Sequence, residues 1–244
     1  MKTETKNRII DYINSQEPGQ VFTAFSIPIE GVSVDGVRKA LDRMVAGGTI
    51  RKLDKGRYYR PLQTRFGELP PDIEQVVGDL VMDKNNQPIA YLTGMIMFAQ
   101  MGLTTQISSW IELGVRKYRR RIKRGRYTVS FVLQPNPITK ENMELLRLLD
   151  AIRFCREISG TDPEEAVERL IYLVGRLSTE QKSQIIQLAL PYAPYVRALL
   201  GAILEHLGFN KELQPLRDSL NPMTRYKLYI SEEILPTRSN WNIR

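Results

Sequence analysis

Residues 33–61 read SVDGVRKALDRMVAGGTIRKLDKGRYYRP, and this stretch decides the fold of the front of the chain. Ser33 is a predicted N-cap, and the residues after it predict an amphipathic helix over roughly residues 34–45. The glycine pair Gly47-Gly48 ends that helix. Its apolar face is formed by Val34, Val37, Leu41, Met44 and Val45. The runs TIRKL and RYYRP then flank Asp54-Lys55-Gly56, which predicts a short β-hairpin.

The residues upstream complete a four-part order. Residues 1–15 predict a helix because Ile9, Ile10 and Ile13 form an apolar stripe. After a turn at residues 17–19, Thr23 is the predicted N-cap of a short second helix that Pro28 ends. Helix, short helix, amphipathic helix and two-stranded wing is the order of a winged helix-turn-helix. In that fold the third helix enters the major groove of DNA and the wing contacts the backbone.

The face of the third helix opposite its apolar stripe is the one that would meet DNA. Arg38 lies on its flank, where a long side chain reaches phosphate, and Arg51 adds charge to the wing. The predicted DNA-binding residues of this region are Thr23, Ser33, Asp35, Gly36, Arg38, Lys39, Arg43, Lys52, Lys55 and Arg57. A small helical domain that uses this layout for protein contacts is the alternative. Residues 1–66 hold 12 lysines and arginines against 7 acids, a net charge of +5 that favours DNA.

The middle of the chain predicts a helix near residues 73–82, a buried helix over residues 91–101, and then a basic hairpin. The stretch VRKYRRRIKRGRY, residues 115–127, has eight basic residues and no acid between Arg116 and Arg126. Alternation over residues 118–134 predicts two strands that turn at Arg124-Gly125 and pair Lys123 with Arg126. The predicted core face carries Tyr118, Ile122, Tyr127, Val129 and Phe131. The predicted outer face carries Arg119, Arg121, Lys123, Arg126, Thr128 and Ser130, and Arg120 breaks the pattern.

Clustered like charges repel one another, so an isolated protein gains nothing from this outer face. A polyanion reverses that effect and releases counterions when it binds. We therefore add Arg119, Arg121, Lys123 and Arg126 to the predicted DNA-binding residues. A solvated face, or a strand edge kept soluble by charge, is the alternative. RNA is a second alternative, which exposed aromatic residues would favour and the inward placement of Tyr118 and Tyr127 disfavours.

The rear of the chain predicts a different kind of surface. Residues 138–244 hold 14 basic and 14 acidic residues, so their net charge is zero. Residues 138–220 predict successive short-linked helices, in an antiparallel bundle or a helical stack. Most carboxylates there alternate with lysine and arginine, which is typical of solvated helix faces. The last 25 residues predict a packed tail with little regular structure.

The chain shows no catalytic or metal-binding pattern. Cys155 is the one cysteine and His206 the one histidine, both on apolar-periodic helices, and clustered zinc ligands are absent. Phosphate-binding and dinucleotide-binding glycine motifs are also absent. We therefore expect no enzyme activity, cofactor or metal. No apolar run suits a membrane helix and the start lacks a signal-peptide core, so we expect a cytoplasmic protein.

Four blocks carry a resemblance to a known family: GQVFTAF, VRKALDRMVAGGTIRKLDKGRYYRP, YLTGMIMFAQMGLTTQI and IKRGRYTVSFV. Together, over roughly residues 1–135, they resemble the AbiEi-like antitoxins of bacterial type IV toxin–antitoxin systems. The resemblance implies a protein that represses its own promoter and counters a neighbouring nucleotidyltransferase-like toxin, without need of a stable complex. One departure is the insertion SIPIEG before the third helix, which bears on the angle of groove entry.

The sequence therefore predicts an α+β protein in three parts: a winged helix-turn-helix over residues 1–62, an AbiEi-like antitoxin domain with a basic hairpin over 63–137, and a helical region with a tail over 138–244. The expected function is that of a DNA-binding antitoxin and autorepressor. The partners expected are double-stranded DNA of its own promoter and the toxin. The alternatives are an RNA-binding module and an antitoxin that docks the toxin through its helical half.

Overall fold

The computed structural model describes residues 2–27 and 29–244 and shows a mixed α+β fold with small sheets. The helices are α1 Lys2–Ser15, α2 Val34–Ala46, α3 Ile73–Val81, α4 Gly94–Gln100, α5 Met143–Phe154, α6 Pro163–Gly175, α7 Thr179–Ala189, α8 Pro194–His206 and α9 Gln214–Asp218. The strands are β1 Val21–Thr23, β2 Arg51–Asp54, β3 Arg57–Tyr59, β4 Leu62–Thr64, β5 Gly67–Leu69, β6 Ala90–Thr93, β7 Trp110–Val115, β8 Ile122–Arg124 and β9 Tyr127–Leu133.

The contacts divide the chain into two compact units. The first unit runs to Leu80 and adds the segment Ile122–Thr128, which we call the hairpin tip. The second unit comprises Val81–Arg121 and Val129–Arg244. This division differs from the three predicted parts in two ways. The first unit extends to Leu80 and includes the tip, and the second unit combines the rest of the predicted middle part with the rear of the chain.

The first unit is built around a three-stranded sheet in the order β1-β3-β2. The strands are antiparallel, with Val21 opposite Tyr59 and Arg51 opposite the same residue on the other side. Ile9 and Ile13 of α1 and Leu41 of α2 pack in the core of this unit and are almost fully buried. Helix α1 and helix α2 therefore present the apolar stripes that the sequence predicts.

Helix α2 begins and ends where its sequence signals place it. The Ser33 hydroxyl accepts a hydrogen bond from the Gly36 amide at 3.1 Å. Gly48, with a φ of 77°, follows the helix in the left-handed region that glycine tolerates best. Lys55 and Gly56 connect β2 to β3 as the turn signal predicts.

The predicted second helix is shorter than expected. Thr23 ends strand β1, and only one turn of 3₁₀ helix, Ala24–Ser26, follows it. The Thr23 amide donates to the Ser26 hydroxyl at 2.9 Å, so the turn closes on itself within three residues. The predicted role of Pro28 in ending this element lies outside the described residues.

The predicted buried helix over residues 91–101 is wrong in its first part. Ala90–Thr93 form strand β6, which pairs antiparallel with β7, and the helix begins only at Gly94. A short apolar run fits a buried strand as well as a buried helix, so periodicity alone could not separate them. Gly94 has a φ of 72°, and a Cβ there would lie 1.8 Å from a carboxylate oxygen of Glu112, so the switch from strand to helix needs glycine.

The second unit holds the large hydrophobic core. Strands β6 and β7 belong to a sheet in the order β6-β7-β9-β8, and helices α4 to α9 follow the predicted helical pattern. Asp162 and Ser178 cap α6 and α7 with their side chains. The tail ends in Pro236–Trp241, a 3₁₀ segment whose Trp241 is 1% exposed and packs against Gly201. In the described residues, no helix has the length and apolar character required to cross a membrane.

Candidate nucleic-acid interface

The basic hairpin turns one residue later than the sequence predicts. Strand β8 ends at Arg124 and β9 begins at Tyr127, so the two turn residues are Gly125 and Arg126. Gly125 has a φ of 56°, the left-handed value that the first central residue of a tight hairpin turn requires. Placing glycine first in the turn shifts the register by one residue. The predicted pairing of Lys123 with Arg126 is therefore wrong.

This shift turns Arg124 inward, where its side chain is only 4% exposed. Its guanidinium Nε lies 2.9 Å from a carboxylate oxygen of Asp54, which closes the β2–β3 hairpin. Its two terminal nitrogens each lie 2.9 Å from the carboxylate of Asp79 on α3. Such a two-pronged arginine–carboxylate pair fixes geometry as well as charge. Arg124 therefore anchors the hairpin tip inside the first unit.

Arg57 completes this ion-pair cluster, because it contacts both Asp54 and Asp79. Burial acts to raise the pKa of Asp79, but the hydrogen bonds and charge of Arg124 and the charge of Arg57 outweigh burial and lower that pKa. Arg57 is a predicted DNA-binding residue, and the structure engages it in this cluster. Asp79 gave no sequence signal, since only the fold brings it to Arg124.

The exposed face of α2 carries both paired and unpaired charges. Arg38 pairs with Asp35 at 2.9 Å, so these two charges offset each other. Lys39 and Arg43 are exposed and form no ion pair within the described residues. Of the predicted residues on α2, Lys39 and Arg43 are therefore the cations that are available to a ligand.

The β2–β3 hairpin offers Lys55 at its turn, where the side chain is exposed. Lys52 lies 3.4 Å from Asp42 and 5.7 Å from the centre of the Tyr58 ring. The Tyr58 hydroxyl also donates to Asp42, at 2.9 Å, and burial together with this bond raises the pKa of Tyr58 to about 12. Arg51 is held by Glu68 at 2.7 Å. Lys55 is thus the least engaged cation of this hairpin.

The hairpin tip lies beside the β2–β3 hairpin within the first unit. A cavity of about 140 Å³ is lined by residues of both. Its wall includes Lys52 and Tyr59 from one hairpin and Gly125, Arg126 and Tyr127 from the other. Lys123 and Arg126 are both exposed on the tip. The structure therefore places Arg126 near Lys52 of the β2–β3 hairpin, with Lys123 exposed on the same tip.

The other half of the basic stretch, residues 116–121, is not a strand and belongs to the second unit. We call it the arginine segment. Its predicted strand pairing and the predicted burial of Tyr118 are wrong, since Tyr118 is 82% exposed. Strand β7 ends at Val115, and the chain bends at Arg116 and Lys117. Arg119 and Arg121, both predicted to bind DNA, are exposed on this segment rather than on the tip.

One buried polar cluster lies in the second unit, around Asp150 of α5. Hydroxyls of Tyr91, Thr93 and Tyr192 donate to its carboxylate at 2.6, 2.9 and 3.2 Å. The Gln134 side-chain nitrogen donates to both tyrosine hydroxyls, which turns their hydrogens toward Asp150. Asp150 is 1% exposed, so the interpretation of the rear carboxylates as solvated does not hold for it. Burial raises its pKa, against the three hydroxyl donors that act to lower it.

Cys155 and His206 lie in unlike surroundings. Cys155 is buried, and burial raises the pKa of its thiol to about 11. A nucleophilic cysteine needs a pKa lowered toward neutrality. His206 is exposed at the end of α8. The Cys155 thiol is therefore placed as a core side chain.

Comparison with known proteins identifies a family and a structural likeness. The model of the family described as "Family of unknown function (DUF6088)" matches residues 8–174, so the chain belongs to that family. No curated protein matches the chain in sequence. The fold is similar to the crystal structure of the RV2827C protein from Mycobacterium tuberculosis, with 13% sequence identity and a TM-score of 0.53. The likeness covers 91% of this chain and 84% of that chain.

Proposed function

We propose that this member of the DUF6088 family binds double-stranded DNA through its first unit, in the manner of a winged helix. Helix α2 is the proposed recognition helix, the β2–β3 hairpin is the wing, and the hairpin tip adds a second point of backbone contact. The sheet order β1-β3-β2 supports this interpretation, because a short strand before the recognition helix completes the sheet that carries the wing.

The observation that carries the proposal is the distribution of unpaired cations in the first unit. The acids of α2 and of the β2–β3 hairpin are engaged: Asp35 pairs with Arg38, Asp42 pairs with Lys52, and Asp54, together with Asp79 of α3, pairs with buried or half-buried arginines. Exposed cations without an ion pair among the described residues lie on α2, on the wing turn and on the tip, and they are Lys39, Arg43, Lys55, Lys123 and Arg126. Lys6 and Arg8 of α1 and Arg65 between β4 and β5 are likewise exposed and form no ion pair in the part of the chain that the structure describes. Binding of such cations to a phosphate backbone is favourable because it releases the counterions condensed on the nucleic acid.

Roles differ among these cations. Lys39 and Arg43 lie on the helix that would enter the major groove, where side chains read base edges. Lys55, Lys123 and Arg126 lie on turns, where contacts to phosphate position the protein without reading sequence. The insertion SIPIEG, which departs from the pattern of the AbiEi-like antitoxins, lies before α2. It therefore affects the angle at which α2 would enter the groove.

The test is fluorescence-anisotropy binding to the duplex upstream of the gene, beside a scrambled duplex, at two salt concentrations. Lys39→Ala is expected to reduce discrimination between the two duplexes by roughly 1–3 kcal/mol, because a base contact is lost. Lys123→Glu with Arg126→Glu is expected to weaken both duplexes equally and to flatten the salt dependence.

Lys211→Ala is the matched control, since it removes an exposed lysine from the helical half and should leave binding unchanged. Equal binding of the two duplexes by the wild type would contradict operator recognition. An unchanged salt dependence in the tip variant would remove the tip from the interface.

The biological role we propose is that of an autorepressor and antitoxin, and it rests on the sequence resemblance to AbiEi-like antitoxins alone. Expression of the neighbouring gene with and without this chain tests the antitoxin role, and a promoter fusion tests repression. If expression of the neighbouring gene alone does not arrest growth, the antitoxin role is contradicted and the proposal of DNA binding is unaffected.

A further inference from the structure

We propose that the arginine segment and Trp110 form a second binding surface, in the second unit, whose ligand is single-stranded nucleic acid. This surface is separate from the one proposed to bind duplex DNA and shares no residue with it. It consists of an exposed cationic segment interleaved with exposed aromatic rings.

The charge of this surface is dense and uncompensated. The exposed cations are Arg116, Lys117, Arg119, Arg120 and Arg121. None of the five forms an ion pair within the part of the chain that the structure describes. Arg116 is held by the main-chain carbonyl of Pro135, which neutralises no charge. Crowded cations of this kind repel one another until a polyanion covers them.

The aromatic rings distinguish this surface from a solvated charged face. Tyr118, in the middle of the segment, is 82% exposed, and Trp110, at the start of β7, is 45% exposed. The Arg121 guanidinium lies 5.4 Å from the centre of the Trp110 ring. The Arg119 guanidinium lies 5.9 Å from the centre of the Phe131 ring. A protein gains nothing in its own stability from leaving tyrosine and tryptophan in water.

These two features together select the ligand. Cations follow the phosphate backbone, while aromatic faces stack on bases, and the combination is how proteins hold single strands without reading sequence. Bases of a duplex are already stacked on one another and cannot reach a side-chain ring. An arginine placed over a ring adds a planar cation on which a further base can stack. Unpaired bases therefore fit this surface better than a duplex does.

The chain carries its own spectroscopic reporter for the test. It has two tryptophans, of which Trp110 is 45% exposed and Trp241 is 1% exposed. Stacking of a base on Trp110 should quench its fluorescence and leave that of Trp241 unchanged. The probes are oligothymidylate and oligouridylate of about 15 nucleotides, a length that covers one binding site. A mixed-sequence duplex of the same length is the reference.

We expect both single strands to quench the tryptophan fluorescence of the wild type and neither to quench that of Trp110→Phe. Tyr118→Ala should weaken single-strand binding about tenfold, as expected for one lost stacking contact, while the salt dependence stays the same. Arg119→Glu with Arg121→Glu should weaken binding and flatten the salt dependence. A preference for oligouridylate would identify RNA as the ligand, and a preference for oligothymidylate would identify DNA.

The matched control is Tyr172→Ala. Tyr172 is an exposed tyrosine of α6 with Arg169 at 4.8 Å from its ring centre, so it has similar chemistry outside the segment. Far-ultraviolet circular dichroism checks that each variant is folded. Unchanged single-strand affinity in Tyr118→Ala, or an equal loss for the duplex, would overturn the proposal. Single-strand binding without promoter binding would instead overturn the proposed function and leave this surface standing.

Discussion

Arg124 and its neighbours are all basic residues of one stretch, but they lie in different environments. Arg124 is buried between Asp54 and Asp79, whereas Lys123 and Arg126 on either side of it are exposed. Composition cannot separate these residues, because the carboxylates that hold Arg124 come from distant parts of the chain. A one-residue shift of the turn decides which cation is structural.

We predict that Arg124→Met lowers the free energy of unfolding by about 3–5 kcal/mol, because it leaves two carboxylates without their buried cation. Urea unfolding followed by circular dichroism measures this loss. Lys123→Met is the control, since its side chain is exposed on the same strand and its loss should change stability by less than about 0.5 kcal/mol. Similar losses in the two variants would mean that Arg124 contributes only as a surface charge.

At the scale of elements, local signals located the helices better than the strands. The cap Ser33 and the apolar periodicity after it were sufficient to locate α2, and the pattern over residues 138–220 was sufficient to predict successive helices there. Strand β6 and the hairpin β4–β5 were not recognised, since their residues lack clear alternation. The hairpin register failed for a related reason, because both possible turns contain Gly125 and only the backbone angle at that residue separates them.

The buried cluster on α5 gives a prediction about pH. Since burial raises the pKa of Asp150, the folded protein keeps this proton at a pH where the unfolded chain has lost it. The Asp150 carboxyl therefore stabilises the folded state most at pH values below its pKa in the unfolded chain. This stabilisation decreases as the pH rises through its pKa in the folded protein.

Asp150→Asn removes that titration. The stability of the wild type relative to this variant should decrease as the pH rises from about 4 toward neutrality, starting near the ordinary aspartate pKa. Urea unfolding at a series of pH values measures the difference. A constant difference across that range would show that the hydroxyl donors of Tyr91, Thr93 and Tyr192 fully offset the effect of burial.

At the scale of the whole molecule, charge separates the basic front from the neutral rear, and the sequence alone was enough to predict this. What the sequence did not predict is the division of the basic stretch itself. Its tip joins the first unit, and the arginine segment with Tyr118 joins the second. In the tip, Arg124 pairs with Asp54 and Asp79, which come from other parts of the chain.

We predict that the two proposed surfaces act independently. Combining Lys39→Ala with Tyr118→Ala should give the duplex discrimination of the first variant and the single-strand affinity of the second. Effects at separate sites without shared partners add to within about 0.5 kcal/mol. The double variant is measured with the same duplexes and oligonucleotides as the single variants. If the effects in the double variant differ from the sum of the effects in the single variants by more than this amount, both ligands use one surface.

The position of the hairpin tip also limits how far this protein can behave as a set of modules. A fragment that ends at Leu80 contains every element of the first unit except residues 122–128. It would lack Arg124 and would leave Asp54 and Asp79 with Arg57 alone. The part of the gene that encodes residues up to Leu80 therefore does not encode the complete first unit. Recombination that transplanted it without the later segment would transfer a first unit that lacks one of its own structural parts.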